Sequence, residues 1–291
     1  MRNRILIPFI VFFTLGCSIF HAASPTPEES NPSKKTPGES PLAAGGIPSP
    51  STLSWWRPDS GATWQWQLAG DEIDLSVDAD VYDLDAVETS ADTVAALHEM
   101  GRRAVCYISA GSWEDWRPDS SEFPEEIIGR EYEGWKGERW LDIRRIDLLA
   151  PVLGARMDLC RAKGFDGVEP DNVDGYLNET GFPLTAGDQL AFNRFLAREA
   201  HARGLAIGLK NDADQAAELA TEFDFALAED CFDQGWCELL SPFLDLGKPV
   251  WDAEYTDTGI TVAAFCPQAQ ELGIQAILKN RNLDAWRQAC R

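Results

Sequence analysis

From Trp55 onward, short apolar runs recur along the chain and alternate with stretches of helical spacing. The runs Thr63–Leu68, Val77–Leu84, Ala104–Ser109, Gly167–Glu169, Ala206–Leu209, Asp224–Ala228, Val250–Glu254 and Gln275–Leu278 predict eight strands. Ala91–Met100, Leu148–Ala162, Ala186–Ala202, Asp212–Glu222 and Pro267–Leu272 predict helices between several of them. Gly101, Gly164, Gly204, Gly247 and Gly273 each shortly precede a strand, where a helix C-cap belongs. Eight βα units in roughly 240 residues predict an α/β fold, a closed parallel (β/α)8 barrel forming one domain over residues 55–291. The alternative is an open doubly wound sheet. No Gly-rich phosphate loop follows the first strand, which argues against a nucleotide-binding version of it.

Before Trp55 the pattern changes. Arg2 and Arg4 precede an apolar run from Ile5 to Leu15, shorter than a membrane span needs, and residues 1–23 read as an export segment. Leu15-Gly16-Cys17 partly resembles a bacterial lipobox, with Thr14 where Leu is usual. Lipidation of Cys17, cleavage near Ala22-Ala23 and retention as an uncleaved membrane anchor all stay open. Residues 24–54 are rich in Pro, Ser, Gly and Thr without apolar periodicity and predict a disordered linker. The expected location is secreted or anchored at the cell surface.

Charge narrows the partners. The formal net charge is −23, and residues 1–54 carry four basic and three acidic groups, leaving −24 on the domain. Such a surface repels nucleic acid and anionic lipid and attracts a cationic polymer. Export permits disulfides. Cys231 and Cys237 are close enough for a small loop, Cys266 and Cys290 share the last βα segment, and Cys106–Cys160 is the third expected pair. No C-x-x-C spacing occurs and there are only three His, so neither a metal site nor a cofactor is expected. A monomer is expected. The 11 Trp suit stacking on sugar rings, although ordinary core packing competes for each of them.

In a barrel, reactive groups come from the C-terminal strand ends. Here those ends carry Tyr82-Asp83-Leu84-Asp85, Tyr107 to Glu114, Glu169-Pro170-Asp171 running to Asp174, Lys210-Asn211-Asp212, Glu229-Asp230, Glu254-Tyr255 and Lys279-Asn280. Acids at six of these ends predict a carboxylate-lined cleft. Paired carboxylates without metal-ligand His are the equipment of a glycosidase, one acid protonating the leaving oxygen while the other attacks the sugar or activates water. His98 and His201 fall at the wrong end of the barrel for a base and are expected to be structural.

The strings Val105 to Glu114, Trp140 to Ile143 and Lys163 to Tyr176 resemble glycoside hydrolase family 114, and the likeness runs on through Gly208 to Asp212, Phe223 to Ala226, Glu229 to Phe232 and Glu254-Tyr255. It spans Trp55–Cys290. The resemblance implies a (β/α)8 barrel and endo-α-1,4-polygalactosaminidase activity on partly deacetylated N-acetylgalactosamine polymers. It implies a catalytic pair at Asp171 and Glu229. Ala228 departs from the Asn that precedes this Glu in the family. An acidic cleft suits a substrate that is cationic when deacetylated. Asp171, short and beside Pro170, suits a nucleophile, and Glu229 has the reach of an acid, for which a raised pKa is expected. Asp83, Asp85, Tyr107, Glu169, Asp174, Lys210, Asn211, Glu254 and Tyr255 are assigned to sugar binding and support, with Lys210 alternatively pairing a buried acid. The competing functions are a glycosidase for another amino sugar or α-galactoside, and a non-catalytic carbohydrate-binding barrel.

A chain beginning near Leu53 is expected to fold and keep full activity, because nothing before it has a foldable pattern. Differential scanning calorimetry checks this, and a large loss of melting temperature would contradict it.

Overall fold

The computed structural model describes residues 54–70 and 72–290, which fall in one compact unit. The export segment and all of the linker except Ser54 lie outside the described residues. All eight apolar runs form strands: β1 Trp64–Gln67, β2 Val81–Asp85, β3 Arg103–Ser109, β4 Gly167–Asp171, β5 Ala206–Lys210, β6 Phe225–Glu229, β7 Val250–Tyr255 and β8 Gln275–Lys279. Each pairs in parallel with the next, from β1 to β8.

The seam between β8 and β1 is filled by the end of the chain, where β9, Arg287–Ala289, runs antiparallel to β8. The Leu68 N–H donates to Leu283 O at 3.0 Å, Gln65 Nε2 to Ala285 O at 2.7 Å, and the Arg287 guanidinium to Trp64 O. The fold is the expected (β/α)8 barrel, closed through this segment rather than by a direct β8–β1 ladder.

Successive strand residues point to opposite faces, so the sheet separates two apolar clusters. Trp64, Trp66, Val105, Phe225, Leu227 and Trp251 fill the interior. Leu84, Cys106, Val168, Ile207 and Ala226 face the helices. Gly208 is required inside, because a Cβ there would stand 2.1 Å from the Phe225 ring.

The helices are α1 Ala91–Glu99, α2 Ile146–Lys163, α3 Ala186–Ala202, α4 Ala216–Leu219, α5 Cys231–Gln234, α6 Ser241–Asp245 and α7 Val262–Leu272. Helix α1 starts on Ser90, whose hydroxyl accepts from Thr93 N–H, and α3 starts on a Thr185–Asp188 capping box. The five glycines expected at helix ends all have positive φ. Two helices depart from expectation. Asp212–Glu222 shrinks to a 3-10 turn plus α4, and Lys248 Nζ takes the carbonyls of Ala220 and Phe223 instead. Helix α7 begins at Val262 and carries Pro267 inside it.

Between β3 and α2 the chain leaves the barrel as an antiparallel sheet of Ser112–Glu114, Ile128–Glu131 and Glu138–Leu141, with the last strand in the centre. At the opposite barrel end, His98 bonds Asp166 and His201 bonds Asp224, each at 2.8 Å. Trp55 stacks on His201 at 3.9 Å and donates to Asp224, fastening the start of the domain there.

All three expected disulfides are present: Cys106–Cys160 joins β3 to α2, Cys231–Cys237 closes the loop after β6, and Cys266–Cys290 ties α7 to the chain end. Loop-closure entropy ranks two of them. Cys106 and Cys160 are 54 residues apart and Cys231 and Cys237 only 6. Replacing the first pair by Ala should cost about 4 kcal/mol and the second about 2 kcal/mol. Urea unfolding of the two double variants measures both, and a larger loss for the Cys231/Cys237 variant would contradict the ranking.

Candidate active site

Three adjacent strands end in Asp171, Lys210 and Glu229. The residue after each, Asn172, Asn211 and Asp230, has φ of 63°, 56° and 54°. Asn and Asp tolerate this left-handed region better than other side chains, and its repetition turns the chain outward directly behind each functional group. The same residues brace the carboxylates. The Asn172 N–H donates to Asp171 Oδ1 at 2.8 Å, and Asn211 Nδ2 donates to Glu229 Oε2 at 3.3 Å while its Oδ1 accepts from the Glu229 backbone N–H at 3.0 Å. Close packing holds Asn172 in place, since a Cβ on Gly111 would lie 1.7 Å from its carbonyl oxygen.

Lys210 sits between the two acids. Its Nζ is 2.8 Å from Asp171 Oδ1, 3.0 Å from Glu229 Oε2 and 3.3 Å from Glu169 Oε1, and lies 4.7 Å from the centre of the Trp66 ring. Only 1% of Lys210 is exposed. Burial would strip its proton, but Asp171, Glu229 and Glu169 outweigh burial and hold its pKa well above the usual lysine range. The remaining carboxylate oxygens meet tyrosines: Tyr107 Oη donates to Asp171 Oδ2 at 3.2 Å and Tyr255 Oη to Glu229 Oε1 at 2.5 Å. Arg281 lies 4.0 Å over the Tyr255 ring.

Burial pushes Glu229 up, but Lys210, the Tyr255 hydroxyl and Asn211 together hold it below the ordinary glutamate range. The raised pKa expected of an acid is therefore not found at Glu229. Beneath the ammonium, burial raises Asp83 and Glu169 well above the carboxylate range; Asp83 has no hydrogen-bond partner among the described residues, and Glu169 meets the Lys210 ammonium at 3.3 Å. One ammonium thus stands against Asp171, Glu229 and Glu169.

A second tier surrounds this floor. Asp212 bonds Asn193 Nδ2 at 2.8 Å, and burial, reinforced by Asp174, pushes it to about 8. Asp174 is pushed to about 6 by burial and Asp171, and Glu138 to about 7 chiefly by burial. Glu138 Oε1 accepts from Asn172 Nδ2 at 3.0 Å and from the Ser112 hydroxyl, so the excursion after β3 supports the end of β4.

Of the residues assigned from sequence, Asp85, Tyr107, Asp171, Asp174, Lys210, Asn211, Glu229 and Tyr255 line one cleft of about 860 Å³. Asp85 is occupied by Arg117 at 2.8 Å, which also holds Glu114. Asp83 and Glu169 lie buried below the cleft. Glu254 does not belong to it. Its carboxylate accepts from the Phe232 and Asp233 N–H groups at the start of α5, because it faces the opposite side of β7 from Tyr255. Trp66, Glu138, Asn172, Asp212 and Arg281 line the cleft without having been assigned. Among the described residues, Cys231, Cys237 and Asp252 have metal-ligand spacing, but the two sulfurs are joined as a disulfide.

Opposed carboxylates on alternate strands of an open barrel mouth are the machinery of a glycoside hydrolase. The chain belongs to glycoside hydrolase family GH114, whose profile matches residues 47–291. It is similar to Aspergillus fumigatus Ega3, solved in complex with galactosamine, at 37% identity and a TM-score of 0.78, over 83% of this chain and 100% of that one. The glycoside hydrolase domain of PelA from Pseudomonas aeruginosa shares the fold at 16% identity and a TM-score of 0.61, over 80% of this chain and 99% of that one. No curated protein matches the sequence.

The raised pKa of Asp212 carries a pH signature. An unfolded Asp loses its proton near pH 4, whereas folded Asp212 keeps it to about 8. Its contribution to stability is therefore full below about pH 4 and is lost as pH rises through about 8. Wild type should lose stability across that window relative to Asp212→Asn. Urea unfolding at pH steps from 4.5 to 8.5 tests this, and a pH-independent difference between the two would contradict it.

Proposed function

We propose that the protein is an endo-acting α-1,4-polygalactosaminidase that cleaves partly deacetylated galactosamine polymer by a retaining, two-carboxylate mechanism. The observation that carries the mechanism is the shared ammonium. Asp171 Oδ1 and Glu229 Oε2 touch one nitrogen at 2.8 and 3.0 Å. These two oxygens cannot then be farther apart than the two contacts laid end to end. That is short of the roughly 6.5–9.5 Å that admits a water in inverting enzymes and compatible with the roughly 5–5.5 Å of retaining ones. The substrate class is supported by membership of the family and by the galactosamine bound to Ega3.

In this reading Asp171 is the nucleophile. Lys210, the Tyr107 hydroxyl and the Asn172 N–H hold it in position. Asp171 bonds to the anomeric carbon as Glu229 gives its proton to the departing glycosidic oxygen. Glu229 then takes a proton from water, and that water's oxygen displaces Asp171. To act as the acid, Glu229 must lose Lys210 as a partner when a sugar enters, which leaves burial opposed by Tyr255 and Asn211 without the ammonium. The domain charge of −24 draws in a cationic chain. We also infer that residues 1–23 direct export and that residues 55–291 act as one catalytic domain on a polymer outside the cell.

Asp171→Asn and Glu229→Gln should each lower kcat by several orders of magnitude while the melting temperature stays close to that of wild type. Purified deacetylated galactosamine polymer, glucosamine polymer and neutral galactan are the substrates to compare. NMR of the first product should show the α-anomer. Near-normal turnover by Asp171→Asn would overturn the assignment, and cleavage of glucosamine polymer or galactan alone would overturn the substrate.

A further inference from the structure

Eight large apolar side chains stand exposed among the described residues, and four of them, Trp116, Trp135, Leu177 and Leu239, lie on the catalytic cleft. The two indoles are the largest of these, at 51% and 52% exposure. Neither indole N–H has an acceptor among the described residues, whereas Trp113 Nε1 donates to Ser120 O at 2.9 Å and Trp251 Nε1 to Ala62 O at 3.0 Å. These are not core tryptophans whose edges happen to show.

Their backbones are held firmly. Trp116 precedes Arg117, whose guanidinium is fixed between Asp85 and Glu114, each at 2.8 Å. Trp135 sits in a turn pinned at both sides. Its N–H donates to Tyr132 O and its carbonyl accepts from the Glu138 N–H, both at 3.2 Å, while the Tyr132 ring packs on Trp140 at 4.6 Å. A half-exposed indole on a rigid support is prepared to bind something at little cost in ordering.

We propose that Trp116 and Trp135 are stacking platforms for hexosamine units beyond those at the catalytic pair, so that the cleft binds a polymer segment rather than a terminal sugar. This rests on the galactosamine substrate read above. The occupant follows from continuity and chemistry. Both indoles line the same cleft as Asp171 and Glu229. The axial 4-hydroxyl of a galacto-configured ring leaves the hydrogens on C3, C4 and C5 on one apolar face, which fits flat on an indole. A protonated 2-amino group adds a cation–π attraction, for which Trp is the best partner. At about 860 Å³ the cleft is near the top of the range of roughly 300–1,000 Å³ that holds a whole drug-sized ligand, so it has room for more than one ring.

The test compares kcat/KM on galactosamine polymer and on the shortest oligomer that wild type cleaves. The enzymes are wild type, Trp116→Ala, Trp135→Ala, the double variant and the two Phe variants. Trp286→Ala, exposed but outside the cleft, is the control. The double variant should reduce the preference for polymer over oligomer by about tenfold or more, mainly through KM, with Phe restoring part of it. Trp286→Ala should match wild type. Equal loss on both substrates, or no loss on either while wild type cleaves polymer, would overturn the platforms alone. A wild type that leaves the polymer intact would remove the substrate reading and the platforms with it.

Discussion

The ammonium of Lys210, held between Asp171, Glu229 and Glu169, is the interaction on which the mouth of the barrel depends. Four carboxyl groups converge at this level, and burial pushes the pKa values of Asp83, Glu169 and Glu229 upward. One lysine divides them. The two it touches at the cleft floor are the proposed catalytic pair, while burial holds Asp83 and Glu169 beneath well above the ordinary carboxylate range. A buried ion cluster of this kind is weak evidence for stability, since apolar replacements often do as well. Its value lies in the ionisation it enforces.

That placement is a consequence of strand periodicity. Inward residues of β4, β5 and β6 repeat every second position, and the last inward position on each is the functional one. The small inward residue Gly208 leaves room for the Phe225 ring, while Trp66 gives Lys210 an aromatic face. The left-handed residues that follow each strand end then stop the chain from covering the groups it has just presented. The outer walls have other origins. One is the excursion after β3, which carries Trp135 and Glu138, and another is the disulfide-closed loop after β6, which carries Trp236.

Much of this was legible in the sequence because barrel strands are buried on both sides and read as compact apolar runs between glycine-ended helices. All eight strands were found in this way. The same periodicity separates Glu254 from Tyr255, since neighbours on one strand cannot both face the cleft. Glu138, Trp135 and Arg281 carry no local signal at all: they reach the site from an insertion and from the chain end, through contacts far apart in sequence. Asn172 and Asp212 stood inside recognisable motifs, but their backbone-bracing and buried positions are tertiary facts. Lys210, which the sequence leaves open between a sugar contact and a partner for a buried acid, is paired with Glu169, Asp171 and Glu229 while also lining the cleft.

The most direct measurement is the titration of Glu229 by carbon-detected NMR in wild type and in Lys210→Met, which keeps the length of the stem and removes its charge. With Lys210 present, Glu229 should titrate below the ordinary glutamate value of about 4.3. In Lys210→Met, burial should take over and lift it above that value. The same titration midpoint in both proteins would contradict the claim that this one ammonium sets the ionisation of the site.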